Sequence, residues 1–286
     1  VKPSYADAPY ADSDRLSPGD FQRLAEFINS YSGIKMPASK RLMLEGRLRR
    51  RLRATGIASF ADYCDHLFEG AGLETEALYL IDAVTTNKTD FFREPTHFDA
   101  LTRTVLPDLQ NRGHNSLRIW SAACSIGAEP YTIAMVCADY AETQAAGPLK
   151  TFILATDLSS DVLRAARHGV YPAAMVAPVP PNLRRRYMRG SASDRAQARI
   201  IPELRAMVGF ARLNLMDETY PVGDPMQIIF CRNVLIYFDK PTQYAVLDRL
   251  CQRLETGGYL FLGHSESVTG FDLPIRAVGG TIFQKT

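Results

Sequence analysis

Ile119-Trp120-Ser121-Ala122-Ala123-Cys124-Ser125-Ile126-Gly127-Ala128-Glu129-Pro130-Tyr131 is the stretch around which the chain is organised. The apolar run Leu117 to Trp120 reads as a buried strand, and the small residues from Ser121 to Gly127 read as a tight turn. Glu129-Pro130 then opens a helical pattern of Ile133, Ala134, Val136, Cys137 and Tyr140. Proline suits a first helical turn because the N–H groups there have no partner in the helix. Strand, tight turn and helix start form the unit at which open α/β sheets bind ligands, outside the carboxyl ends of their strands.

The turn lacks a full G-x-G-x-x-G and so argues little for a dinucleotide pyrophosphate. A ligand with an adenosine end and no phosphate, such as S-adenosylmethionine, suits it better, although an ordinary core turn fits this stretch equally well. Downstream, Phe152-Ile153-Leu154-Ala155 is a second apolar strand that ends in Asp157. An acidic residue there is placed to accept from ribose hydroxyls, or simply to serve a helix N-terminus. Ser159 or Ser160 caps a helix over 161–168, which Gly169 ends. Residues 170–186 are proline-rich, then basic, and 187–189 with 198–201 read as an antiparallel hairpin with a polar tip at 190–197. Val208 to Leu213 is the next strand, followed by Asn214-Leu215. Met226 to Cys231 is the clearest strand, ending in Arg232-Asn233 and then Val234-Leu235-Ile236-Tyr237-Phe238-Asp239. A helix over 241–254 stops at Gly257-Gly258, Tyr259 to Gly263 is a strand, and Val278 to Gln284 is a last one that supplies an antiparallel edge. This alternation predicts a doubly wound α/β sheet.

Upstream the chain reads as helical. Ser17-Pro18-Gly19-Asp20 is a helix entry, followed by Phe21, Leu24, Ala25, Phe27 and Ile28 at helical spacing. A second helix over 39–54 carries Leu44, Leu48 and Leu52 on one stripe, surrounded by Lys40, Arg41, Arg47, Arg49, Arg50, Arg51 and Arg53. With only Glu45 nearby, this one-signed cluster predicts uncompensated repulsion that nucleic acid or an acidic protein surface would relieve, although most charge runs are solvated faces. Helices over 59–69 and 73–84 complete a small bundle. The junction 85–95 is neither clearly helix nor strand. Its Phe91-Phe92 pair argues against a flexible linker. A helix over 96–109 leads to the first strand.

Composition is that of a globular protein, with 46% hydrophobic and 22% charged residues among 286 and a net charge of +2. No apolar run approaches the roughly 20 residues that span a bilayer. The polar start, Val1-Lys2-Pro3-Ser4-Tyr5, does not read as a signal peptide, and residues 1–16 are expected to fray. The five cysteines form no C-x-x-C pair and the five histidines show no ligand spacing, so buried reduced thiols in a cytoplasmic protein and no metal site are expected.

Several of these stretches together resemble one family, the chemotaxis receptor protein-glutamate O-methyltransferases (CheR type). They are Thr85-Thr86-Asn87-Lys88-Thr89-Asp90-Phe91-Phe92-Arg93-Glu94, the Trp120–Tyr131 turn, Ala155-Thr156-Asp157, the run from Ile229 to Asp239 and Gly263-His264-Ser265-Glu266, in family order. The resemblance implies an α/β fold. It has a Rossmann-like class I methyltransferase domain over 96–286, a small all-α N-terminal domain over 17–84 that binds the receptor, a linker over 85–95 and an inserted small antiparallel β-subdomain near 187–208. It implies S-adenosylmethionine as cofactor, with S-adenosylhomocysteine as product. Asn87, Thr89 and Arg93 would contact the cofactor from the linker, Glu129 its methionine portion, Asp157 its ribose, and Asn214 and Leu215 its adenine. Arg232 and Asn233 would close the site, and Arg93 and Tyr237 would be catalytic, orienting the glutamate. Arg47, Arg49, Arg50 and Arg53 would read acidic chemoreceptor signalling helices. A cytoplasmic monomer recruited to membrane receptor arrays is expected, with no nucleic acid and no membrane insertion. The turn departs from the family's usual Thr-Gly-Glu-Glu-Pro, keeping Glu129 as the second acid. The hairpin tip keeps only Gly190 of the glycines that pair with a receptor tail pentapeptide, so pentapeptide-independent action is expected.

Rival readings remain at this point. A nucleic-acid methyltransferase would place the arginine-rich helix on phosphates, but Cys231-Arg232-Asn233-Val234 is not the Pro-Pro-aromatic signature of amino-group methylation. A receptor-binding adaptor without catalysis would not need Arg93, Glu129, Asp157, Arg232 and Tyr237 intact. A nicotinamide oxidoreductase lacks its phosphate-binding glycines.

Overall fold

The computed structural model describes residues 15–143, 149–190 and 196–286, and the chain divides into two compact units after Thr86. The first unit is four helices: α1 (Pro18–Ser32), α2 (Arg41–Thr55), α3 (Phe60–Phe68) and α4 (Gly72–Val84). Ser17 caps α1 by accepting from the Asp20 N–H, and Gly33 ends it in the left-handed conformation. Leu44, Leu48 and Leu52 are fully buried, as are Leu24, Ile28, Tyr63, Leu67, Leu80 and Ile81. The expectation of fraying over 1–16 is corrected at its end: Leu16 is buried and its N–H points to Glu45 Oε2 at 3.4 Å. The rest of that expectation, residues 1–14, lies outside the described residues.

The basic helix is not uncompensated. Arg51 makes a two-pronged pair with the buried Glu76 at 2.7 and 2.8 Å, and Glu76 also accepts from Tyr63 Oη at 3.1 Å. Arg49 pairs with the buried Glu45 one turn earlier at 3.0 Å. Arg47 donates to the Val84 carbonyl, to the Thr85 carbonyl at 3.0 Å and to Thr86 Oγ1 at 3.0 Å. It thereby serves the carbonyl-rich end of α4, where a cation is favoured. Arg50 and Arg53 are exposed. The repulsion read from the sequence is absorbed by acids and carbonyls that lie far along the chain or one helical turn back.

The second unit begins with α5 (Pro95–Ala100), a π-helical turn (Leu101–Val105) and α6 (Leu106–Asn111). The sequence predicts one regular helix here. Pro107 has no N–H to give to the carbonyl four residues back, and the backbone widens just before it. Then follow β1 (Ser116–Ala122), α7 (Ala128–Thr143), β2 (Lys150–Asp157), α8 (Ser160–His168), β3 (Val170–Pro172), α9 (Pro181–Tyr187), β4 (Met188–Gly190), β5 (Gln197–Ile200), α10 (Pro202–Ala206), β6 (Val208–Arg212), β7 (Met226–Cys231), α11 (Lys240–Arg253), β8 (Leu254–Leu262), β9 (Ile275–Gly279) and β10 (Ile282–Lys285).

The main sheet runs β6-β2-β1-β7-β8-β10-β9, parallel from β6 to β8 and antiparallel at the β10–β9 edge. It is the doubly wound, Rossmann-like sheet that the sequence predicts. Both faces are covered. Ile119, Ile153, Ile228, Phe230 and Phe261 join one core with residues of α5, α6 and α7, while Trp120, Ile229, Cys231, Leu260 and Leu262 join a second core with α11. Successive strand residues point to opposite faces, so a sheet buried on both sides needs continuous apolar runs such as 226–231. Among the described residues no helix is long and apolar enough to cross a membrane.

The small β-sheet differs from the expected 187–208 hairpin. It has three strands, β3-β5-β4, all antiparallel, and its third strand comes from before α9. Val208 already belongs to β6 of the main sheet. β3 escapes a sequence reading because it is three residues long and ends in proline, and α9 because Arg184 to Arg186 mask its two buried positions, Leu183 and Tyr187. Residues 191–195 of the expected hairpin tip lie outside the described residues. Near the end of the chain, β8 starts at Leu254 and runs through Gly257 with a register shift opposite, where a helix end was expected. The last expected strand is two, joined at Gly279-Gly280.

Glu76→Ala is expected to lower the stability of the helical unit by about 2 kcal/mol, because it strands Arg51 and Tyr63 beside a cavity. Urea denaturation of the variant checks this, and an unchanged midpoint would show the pair to be idle.

Candidate functional site

Five described residues other than glycine have positive φ: Phe92 (54°), Glu94 (57°), Ala123 (62°), Ser125 (52°) and Asn233 (59°). Such conformations cost of order 1–3 kcal/mol each and persist only where the surroundings fix them. All five belong to segments at the carboxyl ends of β1 and β7, or to the stretch 87–94 that is bonded to them. The strain therefore marks the same crevice that the open-sheet rule indicates.

The β1–α7 turn is closed by Asp157 at the end of β2. Asp157 Oδ2 accepts from the Ser125 N–H at 2.8 Å and Oδ1 from the Ser159 N–H at 2.9 Å. The Cys124 N–H bonds the Thr156 carbonyl at 2.9 Å. Gly127 (φ 91°) is required, since a Cβ there would lie 2.9 Å from Ala166 Cβ and 3.0 Å from Tyr171 Oη. Ser125 Oγ donates to the Asn87 carbonyl at 2.9 Å, and Phe92 N–H to Thr132 Oγ1 of α7 at 3.2 Å, so the 87–94 stretch is sewn to the turn and its helix.

At the end of β7 sits Arg232, with a side chain only 2% exposed. Its guanidinium reaches Glu129 Oε2 at 3.0 Å, Glu94 Oε2 at 3.0 Å and the Arg93 carbonyl. Glu94 Oε1 accepts from Asn233 Nδ2 at 3.1 Å and the His264 N–H at 3.3 Å. Burial alone would raise the Glu94 carboxyl, but Asn233, Arg232 and the His264 N–H outweigh it and hold it at about 2. Burial pushes Glu129 up, against the pull of Arg232 and of Ser121 Oγ at 2.8 Å. His97, buried beside this group, is pushed down to about 4 by burial and then by the Arg232 charge.

Glu266 organises the far wall. Its carboxylate accepts from the N–H groups of Gly263 (2.6 Å), Asn233 (3.0 Å), Val234 (2.9 Å) and Leu235 (2.7 Å). It thereby fixes the 3-10 turn Leu235–Tyr237 that presents the half-buried Tyr237. A side chain at Gly263 would collide with Asn233.

The structure thus joins Arg93, Glu129, Arg232 and Asn233 directly, and Asn87 and Asp157 through Ser125. The Leu213 N–H bonds the Asp157 carbonyl at 3.0 Å, which starts the Asn214-Leu215 loop beside Asp157. Thr89 is half-buried in the same 87–94 stretch. Arg93 is half-buried between its two left-handed neighbours, with Nη1 3.2 Å from the Lys88 carbonyl. Arg47, Arg49, Arg50 and Arg53 belong to the other unit. Sequence reading assigned nothing to Glu94, Ser121, Ser125, His97, His264 or Glu266. Glu94 and Glu266 stood in quoted stretches, and acids beside Arg93 and after a parallel strand were the available signal.

The donor set suits S-adenosylmethionine. Asp157 accepts from the backbone N–H groups of Ser125 and Ser159, which holds in place the carboxylate that a ribose diol would meet. Glu129, held by Ser121 and Arg232, offers a carboxylate for an ammonium group.

The family description "CheR methyltransferase, all-alpha domain" matches residues 19–85, and "CheR methyltransferase, SAM binding domain" matches residues 87–283. The chain is 40% identical over 265 residues to chemotaxis protein methyltransferase 2 of Pseudomonas aeruginosa, covering 92% of each chain. It is 39% identical over 259 residues to the chemotaxis protein methyltransferase of Borreliella burgdorferi, covering 89% of this chain and 90% of that one. The Escherichia coli chemotaxis protein methyltransferase is 38% identical over 269 residues, 94% of this chain and 91% of that one.

His97 and Glu94 each make the fold acid-sensitive. An unfolded histidine titrates near 6.5 and His97 at about 4, so the unfolded state binds the extra proton between these values. The contribution is complete above pH 6.5 and falls as pH drops towards 4, by about 3 kcal/mol in all. Glu94 acts in the same direction lower down: its contribution is complete above about 4.5 and is lost as pH falls through about 2. Melting temperatures between pH 7 and 4.5 are expected to decline in the native chain and to decline less in His97→Gln; parallel profiles would refute the assignment.

Proposed function

Because the chain belongs to the CheR methyltransferase family, we propose that it transfers the methyl group of S-adenosylmethionine to glutamate side-chain carboxylates on the cytoplasmic signalling helices of chemoreceptors. The observation that carries this reading is the strained Phe92–Glu94 segment, which holds half-buried Arg93 beside the crevice that Asp157 and Glu129 line. When bound, S-adenosylmethionine supplies a sulfonium methyl that a carboxylate oxygen takes, leaving a methyl ester and S-adenosylhomocysteine.

In this reading Asp157 holds the ribose, Asn214 and Leu215 border the adenine, and Glu129 takes the methionine ammonium. Asn87 and Thr89 close over the cofactor from the linker side. Arg232 and Asn233 keep Glu94 and Glu129 in place. Arg93 and Tyr237 orient the incoming glutamate, Arg93 by charge and Tyr237 by its hydroxyl. No general base is required, since a free glutamate with a pKa of about 4.3 is already ionised near neutrality. The contribution of the chain is alignment and exclusion of water. A carboxylate acceptor is favoured over a nucleobase because β7 ends in Cys231-Arg232-Asn233-Val234, which is not the Pro-Pro-aromatic signature of amino-group methylation. The protein acts as a cytoplasmic monomer recruited to receptor arrays, without dependence on a receptor tail pentapeptide.

The test is transfer of labelled methyl from S-adenosylmethionine to purified receptor cytoplasmic fragments with and without their C-terminal pentapeptides. Base-labile label on both fragments is expected. Label confined to tailed receptors would remove the pentapeptide-independent part, and no label on either with cofactor still bound would overturn the substrate class. Arg50 and Arg53, the exposed members of the basic helix, are proposed to meet acidic receptor helices. Arg50→Glu with Arg53→Glu is expected to weaken receptor binding about tenfold at low salt and less at high salt. Equal binding by the double variant would free these residues from that role.

A further inference from the structure

His97 and His264 face each other edge to face, with ring centroids 5.1 Å apart, beside Glu94 and outside the residues assigned to methyl transfer. His97 Nε2 lies 3.0 Å from Thr281 Oγ1, and the Thr281 hydroxyl donates to the Leu262 carbonyl at 2.7 Å. A hydroxyl has one proton to give. Because that proton goes to Leu262, Nε2 must be the donor to Thr281, which fixes the tautomer of the neutral ring. The lone pair of His97 is then on Nδ1. That atom is buried, has no hydrogen-bond partner and lies 3.5 Å from Glu94 Oε2. The buried Nδ1 lone pair thus faces another acceptor instead of a donor, which leaves it unsatisfied at a cost of order 1–3 kcal/mol, and a cation between the two removes that cost.

A third donor completes the group. His264 Nε2 is 3.8 Å from the same Glu94 oxygen, and the three ligand atoms all lie within 4.8 Å of one another. Ligands about 2.0–2.2 Å from a tetrahedral ion are about 3.2–3.6 Å apart. A small rotation of His264, whose side chain is 55% exposed, closes the remaining gap and leaves the outer positions open to water. The His97–Thr281–Leu262 relay is the outer-shell hydrogen bonding that orients metal-bound imidazoles.

We propose that Glu94 Oε2, His97 Nδ1 and His264 Nε2 form a binding site for a divalent transition-metal ion of the zinc, cobalt and nickel class. Two imidazoles and one carboxylate suit these ions and not magnesium or calcium, which take all-oxygen sets. Arg232 bonds the same Glu94 oxygen at 3.0 Å, and its charge keeps the affinity modest. The site does not depend on the assignment of the substrate.

Cobalt(II) titrated into the tag-free chain, followed by visible d–d absorption, tests the site. Saturation at one ion with nitrogen- and oxygen-type bands is expected, undisturbed by excess magnesium. His264→Ala is expected to bind at least about tenfold more weakly while melting at the native temperature without metal, as its side chain is exposed. His114→Ala, which removes the imidazole paired with Glu255, is expected to bind as the native chain does. Absence of d–d bands, equal affinity in His264→Ala, or a thiolate-to-cobalt charge-transfer band placing the ion on a cysteine would each overturn the proposal.

Discussion

A guanidinium buried to 2% exposure between two carboxylates is the interaction on which the crevice depends. A lone buried charge of this kind would cost several kcal/mol, so Arg232 is tolerable only with Glu94 and Glu129 in contact. Those partners come from separate places in the chain, one just before α5 and one at the start of α7. Arg232 therefore joins three segments at once, and its bond to the Arg93 carbonyl sets the backbone from which the Arg93 side chain departs. The excess negative charge is shared out to Asn233, to the His264 N–H and to Ser121. Loss of any one partner would leave another buried group short, which makes the cluster cooperative.

The left-handed residues follow from the same arrangement. Each lies in a segment bonded to a different part of the chain. The Ser125 N–H is taken by Asp157, the Asn233 N–H by Glu266, and the Phe92 N–H by Thr132. A charge-assisted or buried hydrogen bond to each segment is comparable in size to the strain it fixes. Glycine at these positions would relax the backbone and also enlarge the unfolded ensemble. The Ser125 Oγ bond to the Asn87 carbonyl and the Asn233 Nδ2 bond to Glu94 are obtained at the expense of conformational comfort, which is typical of places where geometry matters more than stability.

The sheet was legible in the sequence because burial on both faces demands continuous apolar runs, and 117–120, 152–155 and 226–231 are unmistakable as such. Asp157, Glu129 and Arg232 were legible because they follow those runs or open the next helix. What stayed hidden was whatever depends on pairing across long stretches. Glu76 quenches Arg51 from another helix, so the basic helix seemed more unsatisfied than it is. His97 and His264 meet only because α5 passes the end of β8, and no spacing rule reports that. Short elements were hidden too: three-residue β3 and the arginine-masked α9 carry too few residues for a period to show. The π-turn at Leu101–Val105 was readable in hindsight from Pro107 alone.

Asp157 illustrates how closely fold and function are joined here. One of its oxygens closes the β1–α7 turn through Ser125 and the other holds the Ser159 N–H, the residue that caps α8. Any ligand it binds meets an already committed carboxylate. That commitment fixes the orientation of the group before a ligand arrives, so no rotamer entropy is lost on binding. It also means that replacing Asp157 opens the turn, moves Ser125, and releases the Asn87 carbonyl to which Ser125 Oγ is bonded. A loss of ligand affinity in such a variant would therefore measure the turn and the contact together. An isosteric change to asparagine, which keeps one acceptor for the turn, separates the two more cleanly than truncation does.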